Sequence, residues 1–254
     1  MSGIGRAAVV TAAVVAVAFL ALPIAWLLGR ALTGAGDVDE AVFAALRLSF
    51  VTTFVSLGLT LLFGTPLAFL LARRRFRGRR FVEALVDIPI VLPPAVAGLA
   101  LLLALGRRGP AGSLGLEIAF TTAAVVLAQT FVSAPFYIRS ARGAFATVHR
   151  DLEDAARMDG GGEWQAFRSV TVPLAMPVLA GGAILAWARA LGEFGATIMF
   201  AGNVEGVTQT LPLAVYAEFQ SSLDASIAAA AILVVAALAV LLGVRLLRTE
   251  EPSL

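Results

Sequence analysis

The sequence has no cysteine and a single histidine, His149. Without thiolates neither a disulfide framework nor a cysteine-ligated metal centre can form, and one imidazole cannot build the histidine cluster that zinc or haem requires. Lysine is also absent: all 19 basic residues are arginine. That excludes the lysine-bearing phosphate loop with which a nucleotide hydrolase reaches the β- and γ-phosphates, so if ATP drives this protein, another chain binds it. Charge is scarce, at 14% of the 254 residues against 59% hydrophobic, and the mean hydropathy is +0.91. This lies far above the apolar share of a soluble domain and describes an integral membrane protein. The net charge of +2 does not point to nucleic acid, because the arginines sit in short loops beside apolar runs.

A bilayer's hydrocarbon core takes about 20 apolar residues of helix. Six stretches qualify, at about 7–28, 48–72, 84–106, 118–138, 173–200 and 225–244, so the sequence reads as an all-α integral membrane protein with six transmembrane helices. The first run is longer than the roughly 7 to 15 residues of a signal-peptide core and no small-x-small cleavage site follows it, which makes it a retained helix. The third span holds Asp87 with Pro89, Pro93 and Pro94. Those prolines remove backbone donors and bend a helix, which lipid tolerates only where neighbouring helices or cavity water replace the lost partners. The fifth holds Arg189 and Glu193. A charge at mid-helix costs about 2.5 to 3.5 kcal/mol on insertion scales, whereas an i,i+4 ion pair returns only about 0.2 to 0.5 kcal/mol. Both side chains are therefore expected to face protein or water, either as a brace to a neighbouring helix or dimer partner or as a gate. Asp87 is expected near the cytoplasmic end of its span, and Gly181, Gly182, Gly192 and Gly195 permit close helix contact.

The distribution of arginine orients the spans. With the N-terminus inside, fourteen arginines fall on the cytoplasmic side (Arg6, the cluster Arg73, Arg74, Arg75, Arg77, Arg79 and Arg80, then Arg139, Arg142, Arg150, Arg157, Arg168, Arg245 and Arg248) and four outside (Arg30, Arg47, Arg107 and Arg108). Both termini are expected in the cytoplasm, and the longest inside loop is 139–172. Within it, Asp151 to Met158 is helix-prone and acidic at its start, as the helix dipole favours, and Gly160, Gly161 and Gly162 stop it. Glu163 to Ser169 resumes a helical pattern that puts Trp164 and Phe167 on one face, and Pro173 marks the return to the membrane. The expectation is a helix, a glycine elbow and a second helix at the cytoplasmic surface. A solvated connector is the competing reading; the aromatic pair beside Ala155 and Ala156 suits docking better than solvation.

The pattern Asp154-Ala155-Ala156, then Gly160, then Val170-Thr171-Val172-Pro173 resembles the EAA loop of ABC-importer permease subunits. That loop reads Glu-Ala-Ala, three residues, Gly, nine residues, Ile-x-Leu-Pro, with the same spacing. Asp154 stands where the family has Glu, and Glu153 lies beside it. The likeness covers about residues 45–247, with the first span an extra helix, and a second stretch, ALGEFGATIMFAGNVEGVTQTLPLAVY at 190–216, is similar to molybdate permease subunits and more distantly to sulfate ones. The resemblance implies a type I ABC importer permease fold in one domain, residues 1–254, in a bacterial or archaeal cytoplasmic membrane. It further implies a homodimer, two ABC ATPase subunits that carry ATP and Mg, and a periplasmic or lipid-anchored oxyanion-binding protein, with no cofactor on this chain. In that family the loop docks in a cleft of the ATPase, which assigns coupling to Glu153, Asp154, Ala155, Ala156, Arg157, Gly160, Trp164, Phe167 and Pro173. The implied cargo is molybdate or tungstate, with sulfate or thiosulfate the alternative. A secondary transporter working without ATP would show inverted repeats, and a membrane-embedded enzyme has no catalytic constellation around the lone His149.

A small dianion passed on from a receptor needs hydroxyl and amide donors rather than a deep cationic site that would retain it. Thr197, Asn203, Thr208, Gln209 and Thr210 offer such donors and join Arg189 and Glu193 as a candidate translocation path or gate; capping the end of the fifth span is the competing role for each. Glu193 would repel a dianion unless Arg189 or an arginine of another helix neutralises it.

Overall fold

The computed structural model describes residues 3–34, 39–158 and 160–248. Residues 1–2, 35–38, 159 and 249–254 lie outside the described residues, and with them the chain ends whose side of the membrane the arginines imply. In chain order the elements are α1 (Gly3–Gly34), α2 (Glu40–Arg73), α3 (Arg79–Val91), α4 (Pro94–Leu105), α5 (Pro110–Ser113), α6 (Thr122–Thr147), α7 (Arg150–Met158), α8 (Glu163–Ala166), a π turn (Phe167–Thr171), α9 (Val172–Leu191), α10 (Gly195–Phe200), α11 (Leu211–Ser221) and α12 (Leu223–Arg248). No strand occurs among the described residues. They divide into two compact units, Met1–Leu46 with Leu211–Leu254, and Arg47–Thr210.

In the first unit Val42 and Ala45 of α2 pack against Leu211 and Ala214 of α11 and Ala229 of α12, and Ser226 Oγ donates to the Val215 carbonyl at 3.1 Å. The apolar side chains of α1 point outward instead, Val14, Phe19 and Trp26 among them. In the second unit α6 is the central helix. One of its faces, with Tyr137, Ala141 and Phe145, packs on Ala68 and Leu71 of α2 and on Ala175 and Leu179 of α9. Another, with Ala124, Ala128 and Val132, packs on Ala97 of α4 and on Ala196 and Phe200 of α10. Small residues let these backbones approach: a Cβ added at Gly182 of α9 would sit 2.7 Å from Ser140 Cβ of α6.

Four helical stretches among the described residues are long and apolar enough to cross a membrane, Ala7–Gly34, Glu40–Arg73, Glu163–Leu191 and Leu223–Leu242, and Arg79–Val91 with Pro94–Ser113 makes a fifth if the bent pair counts as one. The expected third span is that pair, bent by 118° where Leu92 leaves the helix and Pro94 opens the next one at its first position, a place that needs no backbone donor. The expected fourth span is shifted. Thr121 caps α6, its hydroxyl accepting from Ala124 N at 3.3 Å, and the helix runs on to Thr147 because Ala141, Ala144 and Phe145 continue its buried face. It is not among the stretches of described residues apolar enough to count as a span by composition, and residues 139–147, expected in the loop, are part of this helix.

The expected first helix and glycine turn are present, but the second helix is not a separate surface helix. α8 runs through the π turn into α9 without interruption, giving one helical stretch Glu163–Leu191, and Pro173 lies inside it. The π turn is the reason. Val172 N donates to the Phe167 carbonyl five residues back, and this widening ahead of Pro173 relieves the ring's clash with the preceding turn. At its other end the expected 173–200 span stops at Leu191, because Glu193 Oε1 accepts from Ala196 N at 2.7 Å and so starts α10.

Candidate functional site

The acidic segment forms α7, and its exposed side carries Leu152, Asp154, Ala155 and Met158. Met158 is 86% exposed and Trp164, just past the turn, 71%. The helix ends in a Schellman motif: Gly161 N donates to the Ala156 carbonyl and Gly160 N to that of Arg157, both at 3.1 Å. Gly160 occupies the left-handed position with φ of +91°, where a residue with a Cβ is strained. Residue 159, before it, lies outside the described residues.

The inward side of α7 carries Glu153, the carboxylate that the sequence pattern set second to Asp154. Asp154 is exposed and, among the described residues, pairs with Arg157 on its own helix, whereas Glu153 is buried among three elements. Arg73 Nη2, from the last residue of α2, and Thr171 Oγ1, from the π turn, each donate to Glu153 Oε1 at 2.6 Å, and Arg157 approaches Oε2 at 3.8 Å. Arg150 Nη2 in turn donates to the Arg73 carbonyl at 3.1 Å, which occupies an otherwise unpaired acceptor at the end of α2.

Beside the clamp lies an aromatic relay. Trp164 stacks on Phe167 at 5.5 Å between centroids, Phe167 meets Phe69 of α2 at 4.8 Å and Phe145 of α6 at 6.1 Å. The expected shared face of Trp164 and Phe167 is thus present, with Phe167 turned into the unit and Trp164 outward. Ala156 is half-buried, Ala166 fully buried and Pro173 exposed. Between α2, α7 and α8 a cleft of 1360 Å³ opens, lined by Phe69, Arg73, Glu153, Arg157, Trp164 and Phe167 among others. From the sequence, Arg73 entered only the topology and Thr171 only the loop pattern, with no contact assigned to either, and Phe69 and Phe145 were not named. Thr171 had a signal, a lone hydroxyl among Val170, Val172 and Pro173.

At the far end of α9, Arg189 Nη2 lies 2.6 Å from Glu193 Oε2, with side chains 27% and 1% exposed. Glu193 also accepts from Ala196 N, so its charge is balanced by a guanidinium and a backbone donor. Asp87, expected near the cytoplasmic end of the third span, stands 3.7 Å from Arg139 of α6. Thr197 is fully buried and its hydroxyl has no hydrogen-bond partner among the described residues, and the same holds for Thr210 Oγ1 and Trp187 Nε1. Thr208 is engaged in a turn: its Oγ1 accepts from Val204 N at 2.9 Å. Asn203 is exposed. The structure therefore joins Arg189, Glu193 and the start of α10, while Thr208 is held in the turn at 204–208 and Asn203 sits on the surface. One feature escaped the sequence reading: Ser49, Thr52, Thr53, Ser56 and Thr60 form a buried hydroxyl stripe on α2, Thr130 Oγ1 of α6 donating to Ser56 Oγ at 3.1 Å. Its signal was the helical spacing of small hydroxyls in an otherwise apolar run.

Comparison with known proteins bears on both regions. Residues 64–248 match the model of the family described as binding-protein-dependent transport system inner membrane component. The molybdenum transport system permease protein ModB of Mycobacterium tuberculosis is 48% identical over 204 residues, 79% of this chain and 77% of that one. The molybdate/tungstate transport system permease protein WtpB of Thermococcus kodakarensis is 40% identical over 193 residues, 73% of each chain. Among solved structures, a chain of the bacterial alginate ABC transporter, in complex with an alginate pentasaccharide-bound periplasmic protein, shares the fold with a TM-score of 0.71 at 19% identity, covering 99% of this chain and 96% of that chain.

Proposed function

Because the chain belongs to the family of binding-protein-dependent transport system inner membrane components, we propose that it is the membrane-spanning subunit of an ATP-driven importer for molybdate, with tungstate as the second oxyanion. The observation that carries the cargo is the 48% identity to a molybdenum permease across 79% of the chain; the archaeal relative, whose name gives both oxyanions, favours tungstate beside it. In this reading residues 1–254 act as one permease domain of six passes in a bacterial or archaeal cytoplasmic membrane, with both ends, the 74–78 turn and the α7 segment inside. Two copies enclose the path. ATP and Mg bind two separate ATPase subunits, and a receptor delivers the anion from outside; the alginate transporter that shares the fold, solved with a periplasmic protein bound, supports a receptor of that kind.

The exposed face of α7 docks on the ATPase. Glu153 ties that helix to the end of α2 and the start of the α9 stretch, so a displacement of α7 when the ATPase closes on ATP moves both. Trp164, Phe167, Phe69 and Phe145 carry the same displacement to α6. The bundle opens outward, takes the anion, and returns inward after hydrolysis. Arg189 keeps Glu193 from repelling the dianion, so the pair serves as a brace or gate beside the path, and Thr197 and Trp187 supply donors that hold the ion loosely. Co-purification of the partner ATPase and receptor, followed by a binding assay on that receptor, tests the reading: tight binding of molybdate and tungstate supports it, and a receptor that binds only a sugar or an amino acid overturns the cargo.

A further inference from the structure

Phe120, with φ of +62°, is the one non-glycine residue in the left-handed region among the described residues. A bulky side chain is strained there, and such strain persists only where the surroundings enforce it. The turn after α10 enforces it here. Phe120 N donates to the Phe200 carbonyl at 3.2 Å, and Thr122 Oγ1 donates to the Val207 carbonyl at 2.9 Å. The ring lies against Gly202, where an added Cβ would stand 3.2 Å from Phe120 Cδ1. Core packing does not account for the ring, because Phe120 is 58% exposed. Val204 and Val207 of the same turn are 50% and 44% exposed, so the ring and two valines form an outward apolar patch of the kind that meets a partner.

The patch lies at the opposite end of α6 from α7. α6 begins just past Phe120 and runs 26 residues to Thr147, about 39 Å at the rise of an α-helix, which exceeds the roughly 30 Å of a hydrocarbon core. With α7 at the ATPase, the patch stands on the outer side. Asn203 and Glu205, beside the valines, are exposed too, and a carboxylate there suits water rather than acyl chains. The partner is therefore water-soluble and comes from outside, as the receptor does in the proposed assembly. We propose that Phe120 is the residue on which the receptor docks, its ring entering an apolar pocket of that protein, and that the contact is passed to α10. The route is short: the Phe200 carbonyl that holds Phe120 belongs to the last residue of α10, whose start is fixed by Glu193 and which carries Thr197. A ring already held outward lowers the cost of docking. The inference rests on the reading that a receptor delivers the anion on the side opposite α7.

The test uses the transporter assembled from this chain and its ATPase in lipid nanodiscs, with molybdate-loaded receptor added from solution. Receptor affinity and melting temperature are compared for the unaltered chain, Phe120→Gly and Phe120→Tyr. Glycine relieves the left-handed strain and removes the ring, so Phe120→Gly should melt no lower than the unaltered chain and bind the receptor about tenfold or more weakly, as for an aromatic anchor at the centre of an interface. Phe120→Tyr should bind nearly as the unaltered chain does. A glycine variant that keeps its affinity overturns the proposal, and so does one that loses affinity together with stability, which would make the ring a part of the fold. A second measurement uses the absence of cysteine: Phe120→Cys should react with a soluble maleimide, and receptor at about ten times its Kd for that variant should slow the reaction about tenfold, in proportion to the free fraction. A thiol blocked before receptor is added would assign the patch to a second copy or to lipid, and one that bound receptor leaves reactive would put the docking elsewhere. Either overturns the inference and leaves the receptor reading intact. A receptor with no affinity for the unaltered transporter would overturn that reading itself, and the inference with it.

Discussion

Arg73 Nη2 lies 2.6 Å from Glu153 Oε1, with side chains only 9% and 8% exposed, and this contact joins the last residue of α2 to the inward face of α7. Removing one partner of a buried pair strands the other charge, at about 3 to 5 kcal/mol; here the lower end applies, because the cleft beside the pair admits water. Arg73→Ala and Glu153→Ala should each lower the melting temperature and, in the assembled transporter, let ATP hydrolysis continue while uptake falls. Glu153→Gln keeps an acceptor for Thr171 and should be the mildest of the three. Paired assays of ATPase rate and uptake decide it: unchanged uptake in both alanine variants contradicts the tie.

Gly160 sets the angle at which α7 leaves its turn. A side chain in the left-handed region costs about 1 to 2 kcal/mol, so Gly160→Ala should increase hydrogen exchange at the turn amides of Gly160 and Gly161 while uptake is partly retained. Gly160→Asn should be less affected. Gly160→Pro, whose ring fixes φ near −65°, should uncouple hydrolysis from transport, and normal uptake by that variant would remove α7 from the coupling path.

Trp164 offers a surface test that leaves the core intact. Its ring is mostly exposed and, among the described residues, stacks on Phe167, a contact of about 0.5 to 1.5 kcal/mol, so Trp164→Ala should fold normally and retain less ATPase in a pull-down. Phe167→Ala, which removes the ring between Phe69 and Phe145, should lower thermal stability as well. If both variants retain the ATPase like the unaltered chain, the aromatic pair is not part of the docking surface.

How much of this was legible in the sequence depended on whether the signal was local. Apolar length announced α1, α2 and α12, and the motif spacing located α7, Gly160 and the Trp164–Phe167 pair. The choice between two adjacent carboxylates was not legible, because it is decided by Arg73 and Thr171, 80 and 18 residues away in the chain. Apolar length also missed the extent of α6, which runs on to Thr147 and buries Gln129 and Ser133. Pro173 read as a boundary, since a proline normally ends a helix; the π turn ahead of it lets the helix continue. The break between α9 and α10 was hidden because Glu193 looked like half of an ion pair and not also like a cap.

Topology is open to direct mapping. Reporter fusions or cysteine labelling in this cysteine-free chain should place the 73–80 cluster and the α7 segment in the cytoplasm and Gly202 to Thr210 outside. Labelling of α7 by a membrane-impermeant reagent added from outside would contradict its contact with an ATPase.

The most direct measurement is ATP-driven uptake into vesicles that hold this chain, its ATPase and its receptor, with molybdate, tungstate and sulfate in competition. The account predicts ATP-dependent accumulation of molybdate, competed by tungstate more effectively than by sulfate, and no hydrolysis by the chain alone. Transport of a neutral sugar or an amino acid, with none of the three oxyanions carried, would contradict the account of the cargo, and accumulation of molybdate without ATP would contradict the account of the drive.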